Sequence, residues 1–275
     1  MRVTGRLVER LSNRAGDDKM VAMSSAMNGV QRRGGGLRHY LDASREPFTS
    51  AVLLVPLFVF YQVGILATGN LRNGVDFVTS TLFTAFDGSL TAYLAFNGVV
   101  LAGFGVALAA LRKKGHFEPR IVPWLLLECT LYALVFGAVV IALIRGLGLG
   151  GLLDVGLAAD APSQMGLIDK VVMSAGAGLY EEIVFRLVLM GGLFWLATGV
   201  MGMPRFVSAA LALVISSVVF SAVHHIAEPF TLSAFTFRVF AGAAFAFLYQ
   251  TRGLAVAAYT HALYDVWVMV FRDAS

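Results

Sequence analysis

Charged residues and cysteine are scarce in this chain of 275 residues. Charged side chains make up 14% of the sequence, whereas a soluble domain of ordinary composition carries about a quarter. The single cysteine, Cys129, excludes an intrachain disulfide and a cysteine-based metal cluster. The net charge of +4 is small and gives no indication of nucleic-acid binding. The composition therefore excludes a typical soluble domain and a disulfide-stabilised one.

The sequence contains long apolar runs with few charged residues. Hydrophobic residues make up 58% of the chain, and the mean hydropathy is +0.76. Several runs reach the roughly 20 residues that an α-helix needs to cross a bilayer. We therefore predict an all-α polytopic membrane bundle of seven or eight transmembrane helices. The seven clear spans lie at 48–69, 88–111, 121–144, 172–199, 206–227, 231–250 and 253–271.

The organisation along the chain follows from charge and from span length. Residues 1–46 hold nine Lys and Arg against five acids, so the positive-inside rule places this end in the cytoplasm. This tail is predicted to be disordered or to form an interfacial helix on anionic lipid. The N-terminal transmembrane helices are expected over 47–167 and a second group over 168–275. A shorter apolar piece, 75–87, is interfacial, re-entrant or an eighth crossing.

Polar residues and glycines within the spans predict how the helices pack. Asn97 and Glu128 lie at membrane depth and are expected to form interhelical hydrogen bonds. Glycines 176 and 178, and again 191 and 192, allow helices to approach closely. Residues 168–200 are too many for one straight crossing at about 1.5 Å per residue. We therefore predict a break or a strong tilt near Gly191.

Two adjacent carboxylates and a guanidinium lie inside an apolar span, in the sequence Tyr-Glu-Glu-Ile-Val-Phe-Arg at 180–186. Ionisable groups at membrane depth cost at least a few kcal/mol each, so they must be paired, hydrated or functional. On an α-helix, Glu182 and Arg186 are four residues apart and can form a salt bridge. Glu181 points about 100° away, with no cation at that spacing. Glu182 is therefore interpreted as structural, and Glu181 as available for chemistry.

Histidine and further charges lie in the later spans. Phe220 and His224 are four residues apart and share one helix face. His261 and Asp265 have the same spacing, which places an imidazole beside a carboxylate. Arg238 is another intramembrane charge. An interior pocket is the main place where such groups from separate helices can all be satisfied.

This set of side chains is suited to activating water. A glutamate can act as a general base, and a neutral imidazole can shuttle the proton or bind a metal. A second imidazole beside a carboxylate can stabilise an oxyanion or complete a Glu/His metal site. The sequence contains neither His-Glu-x-x-His nor Gly-x-Ser-x-Gly. Neither a zincin helix nor a nucleophile elbow is therefore supported.

The three motifs, Glu-Glu-x-x-x-Arg at 181–186, Phe-x-x-x-His at 220–224 and His-x-x-x-Asp at 261–265, resemble those of a known family in order and spacing. That family is the CPBP intramembrane proteases, which include the type II CAAX prenyl endopeptidases. The resemblance covers about residues 168–271 and makes 168–275 the expected catalytic core. It implies hydrolysis of a peptide bond inside the membrane.

The resemblance also implies roles for individual residues. Glu181 and His224 would activate water, with His225 as a rival to His224. His261 and Asp265 would stabilise an oxyanion or contribute to a metal site. Where family members often carry Asn, the carboxylate of Asp265 favours a metal or a paired imidazolium. The metal would be zinc, held by Glu181, His224 and His261. Structural support is expected from Glu182, Arg186, Phe220 and Arg238.

The predicted function is that of an intramembrane peptidase in the plasma (inner) membrane. Its substrate would be a membrane-associated protein or peptide, its surroundings the lipid bilayer, and nucleic acid is not expected as a partner. Two other classes remain open on the sequence. One is a non-catalytic membrane chaperone or scaffold of the same fold. The other is an ion or proton carrier that uses the same Glu/His/Asp relay.

Overall fold

The computed structural model describes residues 36–68, 89–113, 115–153, 165–226 and 229–272. The chain divides into two units, 1–43 and 44–275. In the first unit, the described residues 36–43 are helical. The second unit contains all the helices discussed below. The predictions for the tail before residue 36 and for 75–87 lie outside the described residues, and the boundaries after 46 and 167 stay predictions.

The described part of the second unit is a bundle of helices without a strand. Seven of its helices are long and apolar enough to cross a membrane. This confirms the predicted all-α polytopic bundle and its seven spans, and the protein is an integral multi-pass membrane protein. We label the helices α1 to α7 in chain order: Pro47–Thr68, Leu90–Arg112, Val122–Gly146, Leu167–Val200, Arg205–His224, Leu232–Arg252 and Leu254–Val266.

Helix α4, which is 34 residues long, changes its winding instead of breaking. It is α-helical over Leu167–Gly176 and a π-helix over Ala177–Met190. In a π-helix each N–H bonds to the carbonyl five residues back, so each turn holds more residues. The segment is therefore shorter along its axis than an α-helix with the same number of residues. The backbone at Gly191 is helical, with φ −61° and ψ −43°. The predicted break at Gly191 is therefore wrong, and its alternative, a strong tilt, stays a prediction.

Close packing of α4 depends on two of the predicted glycines. A Cβ atom at Gly178 would lie 2.6 Å from the carbonyl oxygen of Ala258 on α7, and one at Gly176 would overlap the ring of Tyr61 on α1. A Cβ at Gly192 would meet no atom within 4 Å. The predicted close approach is therefore confirmed before the glutamates and wrong at Gly192.

Gly178→Leu is expected to destabilise the protein by about 1–3 kcal/mol or more. The leucine side chain would overlap backbone atoms of α7, which cannot move aside as a flexible side chain can. The measurement is thermal unfolding in detergent, followed by circular dichroism. Gly192→Leu is the matched control and should leave the unfolding temperature unchanged. Equal effects of the two substitutions would contradict the close contact of α4 with α7.

Asn97 and Glu128 form polar contacts between helices. Asn97 Oδ1 accepts hydrogen bonds from Gln62 Nε2 at 2.7 Å and from the Tyr180 hydroxyl at 3.0 Å. Glu128 accepts two hydrogen bonds from Arg252, at 2.6 and 2.7 Å. The predicted interhelical bonds of Asn97 and Glu128 are thus confirmed. The second contact is a bidentate ion pair between α3 and α6.

Candidate active site

The π-helical part of α4 places the Glu-Glu-Arg motif in the interior of the bundle. Glu181, Glu182 and Arg186 are 4%, 0% and 1% exposed. Arg186 Nε lies 3.2 Å from Glu182 Oε2, so the ion pair that the four-residue spacing predicts is present. π-Helical winding is rare and is frequently found at functional sites, and this segment contains all three charges of the motif.

Aromatic rings and a carbonyl group enclose the Arg186 guanidinium. Its central carbon lies 4.5 Å from the ring centroid of Phe220 on α5 and 5.7 Å from that of Phe245 on α6. Its Nη2 donates a hydrogen bond to the carbonyl of Gly242 at 3.3 Å. These cation–π and polar contacts tie α4 to α5 and α6. Arg186 and Phe220 are therefore in contact, and the supporting role predicted for both stays a prediction.

His224 is the last residue of α5 and turns its ring toward α4. Its Nδ1 lies 2.7 Å from the Phe220 carbonyl oxygen. A carbonyl can only accept, so Nδ1 carries the hydrogen and, in the neutral ring, Nε2 carries the lone pair. That Nε2 lies 3.7 Å from Oε2 of Glu181. The predicted partners therefore lie side by side.

His225, the rival to His224, turns the other way. Its Nδ1 lies 3.3 Å from the Pro229 carbonyl oxygen, and its ring packs against Phe230 and Phe235. These contacts lie in and after the turn that ends α5. Of the two adjacent histidines, His224 is thus the one beside Glu181.

His261 lies between three carboxylates. Its Nδ1 is 2.8 Å from Glu182 Oε1. Its Nε2 is 3.8 Å from Glu181 Oε2 and 3.5 Å from Asp265 Oδ2. The ring stacks on Phe245 with centroids 4.3 Å apart and an interplanar angle of 18°. The predicted neighbour Asp265 is present, and the structure adds Glu182 on the opposite edge of the ring.

Of the four residues predicted to be catalytic, His224 and His261 thus lie beside the Glu181 carboxylate, and Asp265 lies beside His261. The side chains of Glu181 and His261 are 5% and 6% exposed, whereas those of His224 and Asp265 are 19% and 26% exposed. The cluster is therefore accessible from the side of His224 and Asp265. Arg238 lies half-buried on α6, one turn before Gly242, and its supporting role stays a prediction.

Whether this cluster could hold a metal ion depends on the position of its donor atoms. Both imidazoles hold Nδ1 against an oxygen atom and turn Nε2 toward Glu181, an orientation typical of metal-binding histidines. Within the described ranges, however, no group of three or more His, Cys, Asp or Glu side chains is placed to hold a metal ion. The zinc site predicted from Glu181, His224 and His261 stays a prediction, and the chemistry proposed below uses no step at a metal.

A bundle of apolar spans with an interior Glu/His cluster belongs to the class of polytopic membrane proteins with a buried polar centre. Residues 163–267 match the family model described as Type II CAAX prenyl endopeptidase Rce1-like. The match contains all three motifs and confirms the resemblance seen in the sequence. No curated protein and no solved structure matches the chain. The protein is thus a multi-pass membrane protein in which residues 163–267 are similar to that family.

Two residues of the site carry no charge and were missed in the sequence. Gly242 accepts the hydrogen bond from Arg186, and Phe245 contacts both Arg186 and His261. A signal was present, because Arg238, Gly242 and Phe245 follow one another at helical spacing and so share a face of α6. Its meaning depended on knowing that this face packs on α4.

Proposed function

We propose that the protein is an intramembrane peptidase that hydrolyses a peptide bond of a membrane-associated protein or peptide by Glu/His activation of water. The observation that carries the proposal is the position of Glu181 Oε2, 3.7 Å from Nε2 of His224 and 3.8 Å from Nε2 of His261. These gaps are too long for direct hydrogen bonds. They suit a water molecule that bonds to more than one of the three groups. The family match over 163–267 supports the same reaction class.

In the proposed reaction, Glu181 accepts a proton from water while the water oxygen attacks the carbonyl carbon of the substrate. His224, with the Nε2 lone pair of its neutral ring, accepts the second hydrogen bond of that water. The proton on Glu181 then passes to the amide nitrogen as the C–N bond breaks. Hydrolysis is complete when the new carboxyl and amino termini separate, and Glu181 is ionised again.

His261 and Asp265 are assigned to the oxyanion of the tetrahedral intermediate. A protonated His261 donates from Nε2 to that oxygen, in surroundings that contain little water and so strengthen the interaction. Asp265 lies 3.5 Å from the same nitrogen and balances the charge of the imidazolium. The positive-inside rule supports a cytoplasmic N-terminus, and we assign the protein to the plasma (inner) membrane.

The experiment is cleavage of a set of membrane-inserted peptides by the purified full-length protein in nanodiscs, read by mass spectrometry. Cleavage at a defined bond that Glu181→Gln abolishes is expected. Proton flux into liposomes that depends on Glu181, without cleavage, would instead indicate a carrier. Peptide binding with neither cleavage nor flux would indicate a scaffold. A chelator arm tests zinc: loss of activity that zinc restores supports a zinc site, and an unchanged rate contradicts it.

His224→Ala is expected to lower the cleavage rate by about 100-fold or more, because it removes the imidazole that faces Glu181. His225→Ala is the matched control on the adjacent residue and should change the rate less than tenfold. The rates are measured on one cleaved peptide, with the unfolding temperature of each variant. A larger loss of activity in His225→Ala would overturn the assignment.

A further inference from the structure

We propose that Glu182 is a positioning residue, which fixes the tautomer of His261 and thereby what its Nε2 can do. The effect on catalysis rests on the proposed peptidase function, whereas the tautomer itself does not. Glu182 was interpreted from its spacing as the partner of Arg186 alone. The structure gives it a second contact on another helix, and that contact leads into the reaction site.

The two oxygens of Glu182 have different partners. Oε2 lies 3.2 Å from Nε of Arg186, and Oε1 lies 2.8 Å from Nδ1 of His261. The side chain is 0% exposed. As the ion-pair partner of Arg186, Glu182 is a carboxylate, which only accepts hydrogen bonds. The hydrogen of this bond therefore belongs to Nδ1 of His261.

The opposite edge of the ring is the one that faces the reaction site. With the hydrogen on Nδ1, the Nε2 of a neutral His261 carries a lone pair and points between Glu181 and Asp265, at 3.8 and 3.5 Å. The stacked ring of Phe245 restricts rotation of the imidazole out of this plane. Because Glu182 holds Nδ1–H, the proton that the protonated His261 of the proposed reaction donates to the oxyanion is the one on Nε2.

A purely structural role of Glu182 makes a different prediction. If Glu182 served only to pair with Arg186, removing both partners together would leave the tautomer of His261 unchanged. If Glu182 positions His261, removing its charge releases the tautomer, whereas Arg186→Lys, which keeps a cation beside Glu182, leaves the tautomer unchanged. Two variants separate these cases: Arg186→Lys, and the double variant Glu182→Gln/Arg186→Gln. The double variant leaves no unpaired buried charge, and the Gln amide can accept from Nδ1–H or donate to a bare Nδ1.

The first readout is the ¹⁵N NMR spectrum of the histidine-labelled full-length protein in nanodiscs without substrate, with the His261 signals assigned from His261→Gln. At a pH at which His261 is neutral, the wild type and Arg186→Lys should show a single tautomer with the hydrogen on Nδ1. The double variant should show both neutral tautomers. A single Nδ1–H tautomer in the double variant, or mixed tautomers in Arg186→Lys, would overturn the proposal.

The second readout is kinetic and uses a cleaved membrane peptide. Relative to Arg186→Lys, the double variant should have a kcat lower by about 10- to 100-fold, with KM unchanged because Glu182 is 0% exposed. Equal kcat values would overturn the proposal. If the double variant does not fold, Arg186→Lys is compared with Glu182→Asp, whose shorter carboxylate keeps the charge but retreats from Nδ1. If no variant and no wild-type sample cleaves any peptide, the peptidase function fails while the NMR result still decides the tautomer.

Discussion

Glu181→Gln should lower kcat for peptide cleavage by at least about 100- to 10,000-fold. Glutamine keeps the size of the side chain but cannot accept a proton from water. The effect should fall on kcat more than on KM, because the lost interaction belongs to the transition state. The measurement is the steady-state rate on one cleaved membrane peptide at several concentrations.

A control variant and a stability measurement show whether the loss of kcat is specific to the carboxylate of Glu181. Glu118→Gln makes the same chemical change in the loop before α3, outside the cluster, and should leave kcat unchanged. The unfolding temperature of Glu181→Gln should match that of the wild type, because the exchange preserves volume. If Glu181→Gln retained more than a tenth of the wild-type kcat, Glu181 would not be the general base.

The second large effect is expected at the ion pair between α3 and α6, outside the three motifs. Glu128→Ala removes the carboxylate that binds Arg252 through two hydrogen bonds, at 2.6 and 2.7 Å. The Arg252 side chain is 9% exposed, so its charge would be left buried and only partly satisfied by Ser44 at 3.0 Å. Breaking such a pair costs about 3–5 kcal/mol. Unfolding in detergent by denaturant titration would measure the loss.

The control is removal of the partner as well. The double variant Glu128→Leu/Arg252→Met should recover most of the lost stability, because a buried pair can be replaced by apolar groups at little cost. Asp42→Ala, which removes an exposed carboxylate, should be neutral. A Glu128→Ala protein as stable as the wild type would show that the pair contributes little.

The spans and the motif residues could be predicted from sequence because both are local properties. A run of about 20 apolar residues fixes a membrane helix by composition alone. Glu181 and His261 stand out because ionisable groups are costly in such runs. The four-residue spacing of Glu182 and Arg186 was enough to predict their ion pair, which the structure contains at 3.2 Å.

Contacts between distant helices could not be predicted in the same way. The bond between Glu182 and His261 joins residues 79 positions apart, and the pair of Glu128 with Arg252 spans 124. Spacing along one helix says which side chains share a face but not which helix that face meets. For this reason the sequence paired His261 with Asp265 alone. The winding of α4 was also missed, because no residue of 177–190 marks a π-helix as proline marks a kink.

The wide turns of α4 set the rotational phase between its two ends. Gly178 fixes one end against α7, and Arg186 reaches Phe220 and Gly242 at the other. A deletion of one residue between Gly178 and Arg186 that restored α-helical winding would rotate the guanidinium around the helix axis, away from Phe220 and Gly242. The number of residues in this stretch is consequently as constrained as their identity, and natural variation there should be by substitution instead of by change of length.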